Sequence, residues 1–264
     1  MSLANEIESL KTYSCGDRCV LSVYLNTNPA DPDNLKGAWK IHLKSGLKRI
    51  REYLEASGDE NEIKNFDLLT KKVTEEIQEN QHELRKSVVI FASADDELWS
   101  VHYVQVHVKT SFHFENHPVV EPFEYMYKAY PEAGIIMPSL GEVRILDTAM
   151  GVVKSDMTYK FDPVQEVWQE EKKKNKADQS VIGQSRISVL ESHLKGNMNS
   201  FFKGMSMNVD QLKKKRGWRE FHVAGEAEMA NAFAESIRDV PASCIHKNLN
   251  NSKPQDVVHQ VFEK

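Results

Sequence analysis

Cysteine is scarce, at three residues, and the odd count means that Cys15, Cys19 and Cys244 cannot all be paired. Neither cysteine nor histidine completes a zinc set, so the sequence implies a reducing, cytoplasmic setting with no metal and no cofactor. Long apolar runs are missing as well. The longest, SVVIF and GIIM, fall far short of the ~20 residues that span a bilayer, and the opening MSLANEIESL carries Glu6 and Glu8 where a secretory leader would be apolar. Secretion and membrane insertion are therefore not expected. With only 12 glycines and 9 prolines among 264 residues, collagen-like, low-complexity and wholly disordered classes are excluded. No Gly-x-Gly-x-x-Gly, Walker or Gly-x-Ser-x-Gly sequence occurs, which leaves nucleotide binding and a serine-hydrolase triad without a motif.

What is present is unevenly distributed charge. The whole chain is net −5, yet Lys172 to Arg219 holds twelve Lys or Arg against Asp178, Glu191 and Asp210, net +9. A second island, Asn34 to Arg51, contains Lys36, Lys40, Lys44, Lys48, Arg49 and Arg51 and no acid. Like charges repel unless something neutralises them, so two basic islands on an acidic chain suggest a polyanionic partner met at defined places. The bland alternative is a pair of solvated helical faces.

The fold class read from the pattern is α/β (α+β). A short helix opens the chain, and Cys19–Thr27 reads as a strand ended by Asn28-Pro29-Ala30-Asp31-Pro32. Trp39, Leu43, Leu47, Ile50 and Leu54 recur at helical spacing, with Lys36, Lys40, Lys44 and Lys48 as a second stripe. Another amphipathic helix carries Phe66, Leu69, Val73, Ile77 and Leu84, and strands are predicted at Ser87–Ala92 and Leu98–Val108. This gives an N-terminal strand-helix-helix-strand domain over 1–128. A central domain, 129–216, is predicted as a β-meander (Ala133–Met137, Val143–Asp147, Gly151–Tyr159), a basic loop and a covering helix at Ser185–Ser206. Within the loop, Val164–Lys174 could be helical. The last stretch, 217–264, reads as a short βαβα unit too small to bury a core alone.

Three candidate constellations are weak. Cys15-x3-Cys19 has no second pair. His102, His107, His113 and His117 fall in one strand-rich stretch, but His102 and His113 differ by an odd number and would face opposite ways on a continuous strand. Ala224-Gly225-Glu226 is more simply a turn into a helix than a phosphate cradle. The segment EKKKNKADQSVIGQSR is the exception: Lys172, Lys173, Lys174 and Lys176 lead into Gly183-Gln184-Ser185, with Arg186 beside it. Lysines suit an RNA backbone, because affinity comes from counterion release. Glycine permits close approach, an exposed N–H can stabilise an oxyanion, and a glutamine amide can orient water.

The order of elements resembles the archaeo-eukaryotic type of class I peptide chain release factor over most of residues 19 to 235. A strand VLSVYLNT, two helices, SVVIFAS, the meander GIIMPSLGEVRILDTAMGVVKS, a Lys-rich loop ending in Gly-Gln-Ser, a long amphipathic helix and REFHVAGE carry the likeness. It is similar to the bacterial members, including the Vms-like branch. The resemblance implies that Gly183 and Gln184 match the second Gly and the Gln of the family's Gly-Gly-Gln loop, which promotes peptidyl-tRNA hydrolysis in the peptidyl transferase centre. Ile182 stands in place of the first Gly. Glu62-Ile63-Lys64-Asn65 lies where eukaryotic members carry Asn-Ile-Lys-Ser, and no stop-codon reading is expected from it. The third domain, which in the family engages a translational GTPase, is reduced.

The resemblance therefore implies a cytoplasmic ribosome-binding protein with ribosome and tRNA as partners, a translational GTPase as a further candidate partner, and neither membrane nor DNA. Gly183 and Gln184 would be catalytic. Lys172, Lys173, Lys174, Lys176 and Arg186, with Lys36, Lys40, Lys44 and Lys48, would hold nucleic acid. The alternatives are a non-catalytic ribosome-binding factor of dormancy or stress and a tRNA-binding nuclease.

Overall fold

The computed structural model describes residues 2–162, 165–171 and 198–263, which form two compact units, Met1–Ala129 and Tyr130–Lys264. Both are α/β, as the hydrophobic pattern predicts.

In the first unit, helix α1 (Leu3–Thr12) starts where the Ser2 hydroxyl accepts from the Asn5 N–H. Strand β1 (Val20–Asn26) follows, then a one-turn helix α2 (Pro32–Leu35), α3 (Ala38–Ser57) and α4 (Glu60–Glu79). Asp59 caps α4 by accepting from the N–H groups of Asn61 (2.9 Å) and Glu62 (3.1 Å), the preferred role of aspartate at a helix start. Strands β2 (Ser87–Ser93), β3 (Trp99–Val104) and β4 (Ser111–Glu115) and helix α5 (Glu121–Ala129) complete it. The sheet is antiparallel in the order β3-β2-β1-β4. Because side chains alternate across a strand, Leu21, Val23 and Leu25 face the buried stripes of α3 and α4. Tyr24 turns the other way and meets Phe91, which meets Phe123 of α5.

Three local readings differ from the sequence pattern here. Leu84 lies beyond α4, after a 3₁₀ turn at Gln81–Glu83. The single strand expected over Leu98–Val108 ends at Val104, and Ser111–Glu115 forms a separate edge strand on β1. Cys15 and Cys19 are joined as a disulfide with Cα atoms 6.4 Å apart and Cys244 is left free, whereas the expected reducing compartment points away from pairing. The N–H groups of both cysteines donate to the end of β4, at Asn116 and Glu115, and this brings the two thiols side by side.

In the second unit, β5 (Ala133–Ser139), β6 (Glu142–Ala149) and β7 (Val152–Asp162) make the expected meander. Val167–Glu170 is a fourth strand, β8, paired antiparallel with β7, so the helix considered for Val164–Lys174 does not include these residues. Helix α6 (Met198–Arg216) is followed by β9 (Glu220–Ala224), α7 (Ala227–Ser236), β10 (Ser243–Ile245) and α8 (Pro254–Phe262). The expected covering helix at Ser185–Ser206 is helical from Met198 and runs ten residues further, to Arg216; its 185–197 portion lies outside the described residues.

The C-terminal βαβα stretch does not stand apart. β9 pairs in parallel with β5, and β10 with β9, extending one sheet in the order β10-β9-β5-β6-β7-β8. A break at 216/217 would strip β5 of a neighbour, so 217–264 belongs with 130–216. One sheet face packs Ile136, Val143 and Ile145 under Phe202, Met205 and Val209 of α6 and Phe233 of α7. The opposite face packs Ile135, Met137 and Leu146 under Val257, Val258 and Val261 of α8.

Candidate nucleic-acid interface

Helix α3 begins against the usual rules. Its N-cap, Gly37, adopts φ 86° and supplies no side-chain cap, and the first turn contains no acidic residue. Lys40 occupies that turn. A helix N-terminus carries partial positive charge, and a cation there is unfavourable by about 0.3–1 kcal/mol. Helix stability alone would not select this arrangement, whereas a docked anion would relieve it.

Four-residue spacing places Lys40, Lys44 and Lys48 along one side of α3, with Lys36 just before it, and all four are exposed. The Lys40 ammonium lies 5.2 Å from the Trp39 ring centroid. Lys48 is 3.4 Å from Glu52, an exposed pair of little energetic weight. Among the described residues, no carboxylate pairs with Lys36, Lys40 or Lys44. Arg51 is different. Its Nε and Nη2 donate to Asp67 at 2.9 and 3.2 Å and Nη1 meets Glu55, so bonds to Asp67 above all hold the guanidinium above its ordinary pKa and tie α3 to α4.

The tetrapeptide Glu62-Ile63-Lys64-Asn65 sits inside the first turns of α4 rather than in the preceding loop, with Glu62 paired to Arg18 at 3.7 Å.

Gly183, Gln184, Lys172, Lys173, Lys174, Lys176 and Arg186 lie outside the described residues. The residues on either side of that stretch are held by specific contacts. The Glu171 N–H donates to Thr158 O (2.8 Å), and Lys160 pairs with Glu171 at 2.9 Å. Trp168 of β8 donates its indole N–H to Phe201 O (3.2 Å), and its ring meets Phe161 of β7 and Phe201 of α6 at centroid distances of 5.4 and 5.2 Å. The chain on both sides of 172–197 is thus fixed to one aromatic cluster.

Further along, part of the second basic island serves the fold. Lys213 pairs with Asp239, Arg216 approaches the buried Asp147 at 3.6 Å, and cations in the last turn of α6 complement its dipole. Lys214 and Lys215 are exposed. The sequence reading counts them in the island without singling them out, because a run of four cations gives no facing until a helix fixes it.

The remaining candidates are accounted for locally. Among the described residues, no group of three or more His, Cys, Asp or Glu is placed to hold a metal ion. Ser100, His102 and Glu6 meet within 3.0 Å, but Nε2 of His102 faces both Ser100 and Glu6, so no proton relay runs through the ring. The His102 bond is the main cause holding the Glu6 carboxyl below its ordinary 4.5. The Gly225 N–H donates to Ile245 O and is not free for a phosphate.

Against known proteins, residues 131–263 match the model of bacterial archaeo-eukaryotic release factor family 5. An uncharacterized Bacillus subtilis (strain 168) protein, YocB, is 29% identical over 248 residues, covering 93% of this chain and 92% of its own. Among solved structures, an archaeal translation termination factor, aRF1, is 13% identical with a TM-score of 0.33, covering 99% of this chain and 72% of its own. A second archaeal protein is 11% identical with a TM-score of 0.30 over the same shares. At these scores neither structure bears on the placement of residues here. The family match spans half of the sequence and runs through every element of the second unit from β5 to α8, and on it the chain belongs to bacterial archaeo-eukaryotic release factor family 5.

Proposed function

We propose that this protein associates with the ribosome and promotes hydrolysis of peptidyl-tRNA in ribosome rescue or quality control. The observation that carries the reading is the family match across residues 131–263, a span that includes Gly183 and Gln184. In this reading water attacks the carbonyl carbon of the ester joining peptide to tRNA, the bond to the ribose oxygen breaks, and the proton passes to that leaving oxygen. The Gln184 amide positions the water. The Gly183-Gln184 backbone stabilises the oxyanion, and placement in a water-restricted RNA pocket supplies much of the rate. Lys172, Lys173, Lys174, Lys176 and Arg186 hold tRNA or ribosomal RNA through their charge, and Lys36, Lys40, Lys44 and Lys48 form a second contact with the same polyanion. In this reading the protein alone hydrolyses nothing.

A second reading rests on Ile182. A β-branched residue restricts the backbone where the family's loop has glycine, which favours a protein that occupies the tRNA site without chemistry. Stalled ribosome complexes carrying labelled peptidyl-tRNA separate the readings on one gel. Free peptide with full-length tRNA is the expected result. Shortened tRNA would identify a nuclease instead, and unchanged peptidyl-tRNA with the protein in the ribosome pellet would identify occupancy alone.

A further inference from the structure

A groove of about 490 Å³ lies between α3 and α4, lined by Trp39, Leu43, Leu47 and Phe66 below and by Lys40, Lys44, Lys48 and Arg51 along the α3 edge. Arg51 is neutralised by Asp67 of α4 and by Glu55, and Lys48 by Glu52, so among the described residues the unpaired cations of this edge are Lys40 and Lys44, while α4 lines the groove with the uncharged Thr70, Thr74 and Gln78, one per turn. At 1.5 Å per residue, the stretch from Trp39 to Arg51 makes the groove roughly 18 Å long. The hydroxyl of Thr70 is buried with no hydrogen-bond partner. An apolar trough with cations on one edge and uncharged polar groups on the other is asymmetric, and the asymmetry specifies an occupant.

We propose that this groove receives an amphipathic helix of a partner protein, with aliphatic side chains inserted into the trough and carboxylates along the edge beside Lys40 and Lys44. Length and lining suit helix-in-groove recognition, in which anchors at three- and four-residue spacing fill the floor. Charge complementarity sets the direction of docking and the partner's acidic edge. RNA fits the floor poorly. Bases stack on open aromatic faces, and Trp39 and Phe66 are only 6% and 1% exposed, so the trough offers aliphatic edges instead. The inference is independent of peptidyl-tRNA hydrolysis and shares with that reading only the lysines of the α3 edge.

The test uses the full chain and a labelled synthetic helix about three turns long, with leucines on one face and glutamates four residues apart beside them. Fluorescence anisotropy is expected to show saturable binding of this probe and none of a counterpart with lysines on that edge. Lys40→Glu with Lys44→Glu, both exposed, should weaken binding by about tenfold or more. Thr74→Phe fills the trough without changing charge; it should abolish probe binding and leave ribosome co-sedimentation intact, so that failure here is distinguishable from failure of the ribosomal reading. Equal binding of both probes, or unchanged binding in Thr74→Phe with an unaltered melting curve, would overturn the proposal. So would Thr74-dependent binding of a single-stranded RNA oligonucleotide, anionic phospholipid vesicles or a second copy of the chain in place of the acidic helix. If Thr74→Phe does not fold, the double lysine variant decides alone: undiminished binding of the acidic probe by that variant overturns the proposal.

Discussion

Gly46 sits in the middle of α3, where helix propensity by itself favours almost any other residue by up to ~1 kcal/mol. The reason lies across the core: a Cβ at this position would stand 2.2 Å from the Phe112 ring of β4. Gly134 makes the same allowance for the Trp218 ring, whose indole N–H donates to the buried Asp147 at 2.7 Å. Gly46→Ala is therefore expected to destabilise by about 1–3 kcal/mol through overpacking, despite the gain in propensity. A lower denaturant midpoint checks this, and a higher one would show that the ring yields freely. Glu6 gives a pH dependence. Its carboxyl is held below 4.5 chiefly by His102, so the folded state binds the proton less readily than the unfolded chain does. The stabilisation is fully present above 4.5 and is lost as pH falls through the lower folded value. Denaturation midpoints across that range should fall less steeply in Glu6→Gln than in wild type, and parallel profiles would contradict it.

At the scale of elements, legibility followed the strength of the apolar repeat. α3 and α4 each bury a stripe at three- and four-residue spacing, and their cores match the predicted positions from Trp39 to Ile77 except at Ile50, which is half-buried. β4 and β8 are edge strands, where one face is enough: β4 contributes Phe112 and Phe114, and β8 little beyond Trp168. Such strands carry too few apolar residues to announce themselves. The last turns of α6, Lys213 to Arg216, have no apolar signal either, and are held by the dipole and by ion pairs that only the fold brings together. The lysine stripe was visible from spacing alone. Its neighbours Thr70, Thr74 and Gln78 were not, because small polar residues on a helix read as solvent-facing until a second helix stands beside them. The proposal for Gly183 and Gln184 rests on family likeness alone, since a Gly-Gln-Ser tripeptide carries almost no information by itself. The uncapped start of α3 yields a prediction of its own: Lys40→Glu should raise thermal stability by about 0.3–1 kcal/mol while weakening ribosome association in low salt. Melting and co-sedimentation on one preparation check both, and an unchanged or lower melting temperature would remove the dipole argument.

For the whole molecule, each unit has a sheet covered on both faces, with its own core. Residues 1–129 and 130–264 produced separately should each unfold in one cooperative transition. A fragment ending at residue 216 should not, because removing β9 exposes the β5 edge and uncovers the face that α8 protects. Soluble, cooperative 130–216 would contradict the single extended sheet. The central functional claim is that Gln184 acts on peptidyl-tRNA within the ribosome, and peptide release from stalled complexes by wild type and Gln184→Ala tests it most directly. The account predicts release by wild type and a loss of about a hundredfold or more in the variant, with ribosome binding retained; equal rates from the two proteins would contradict it.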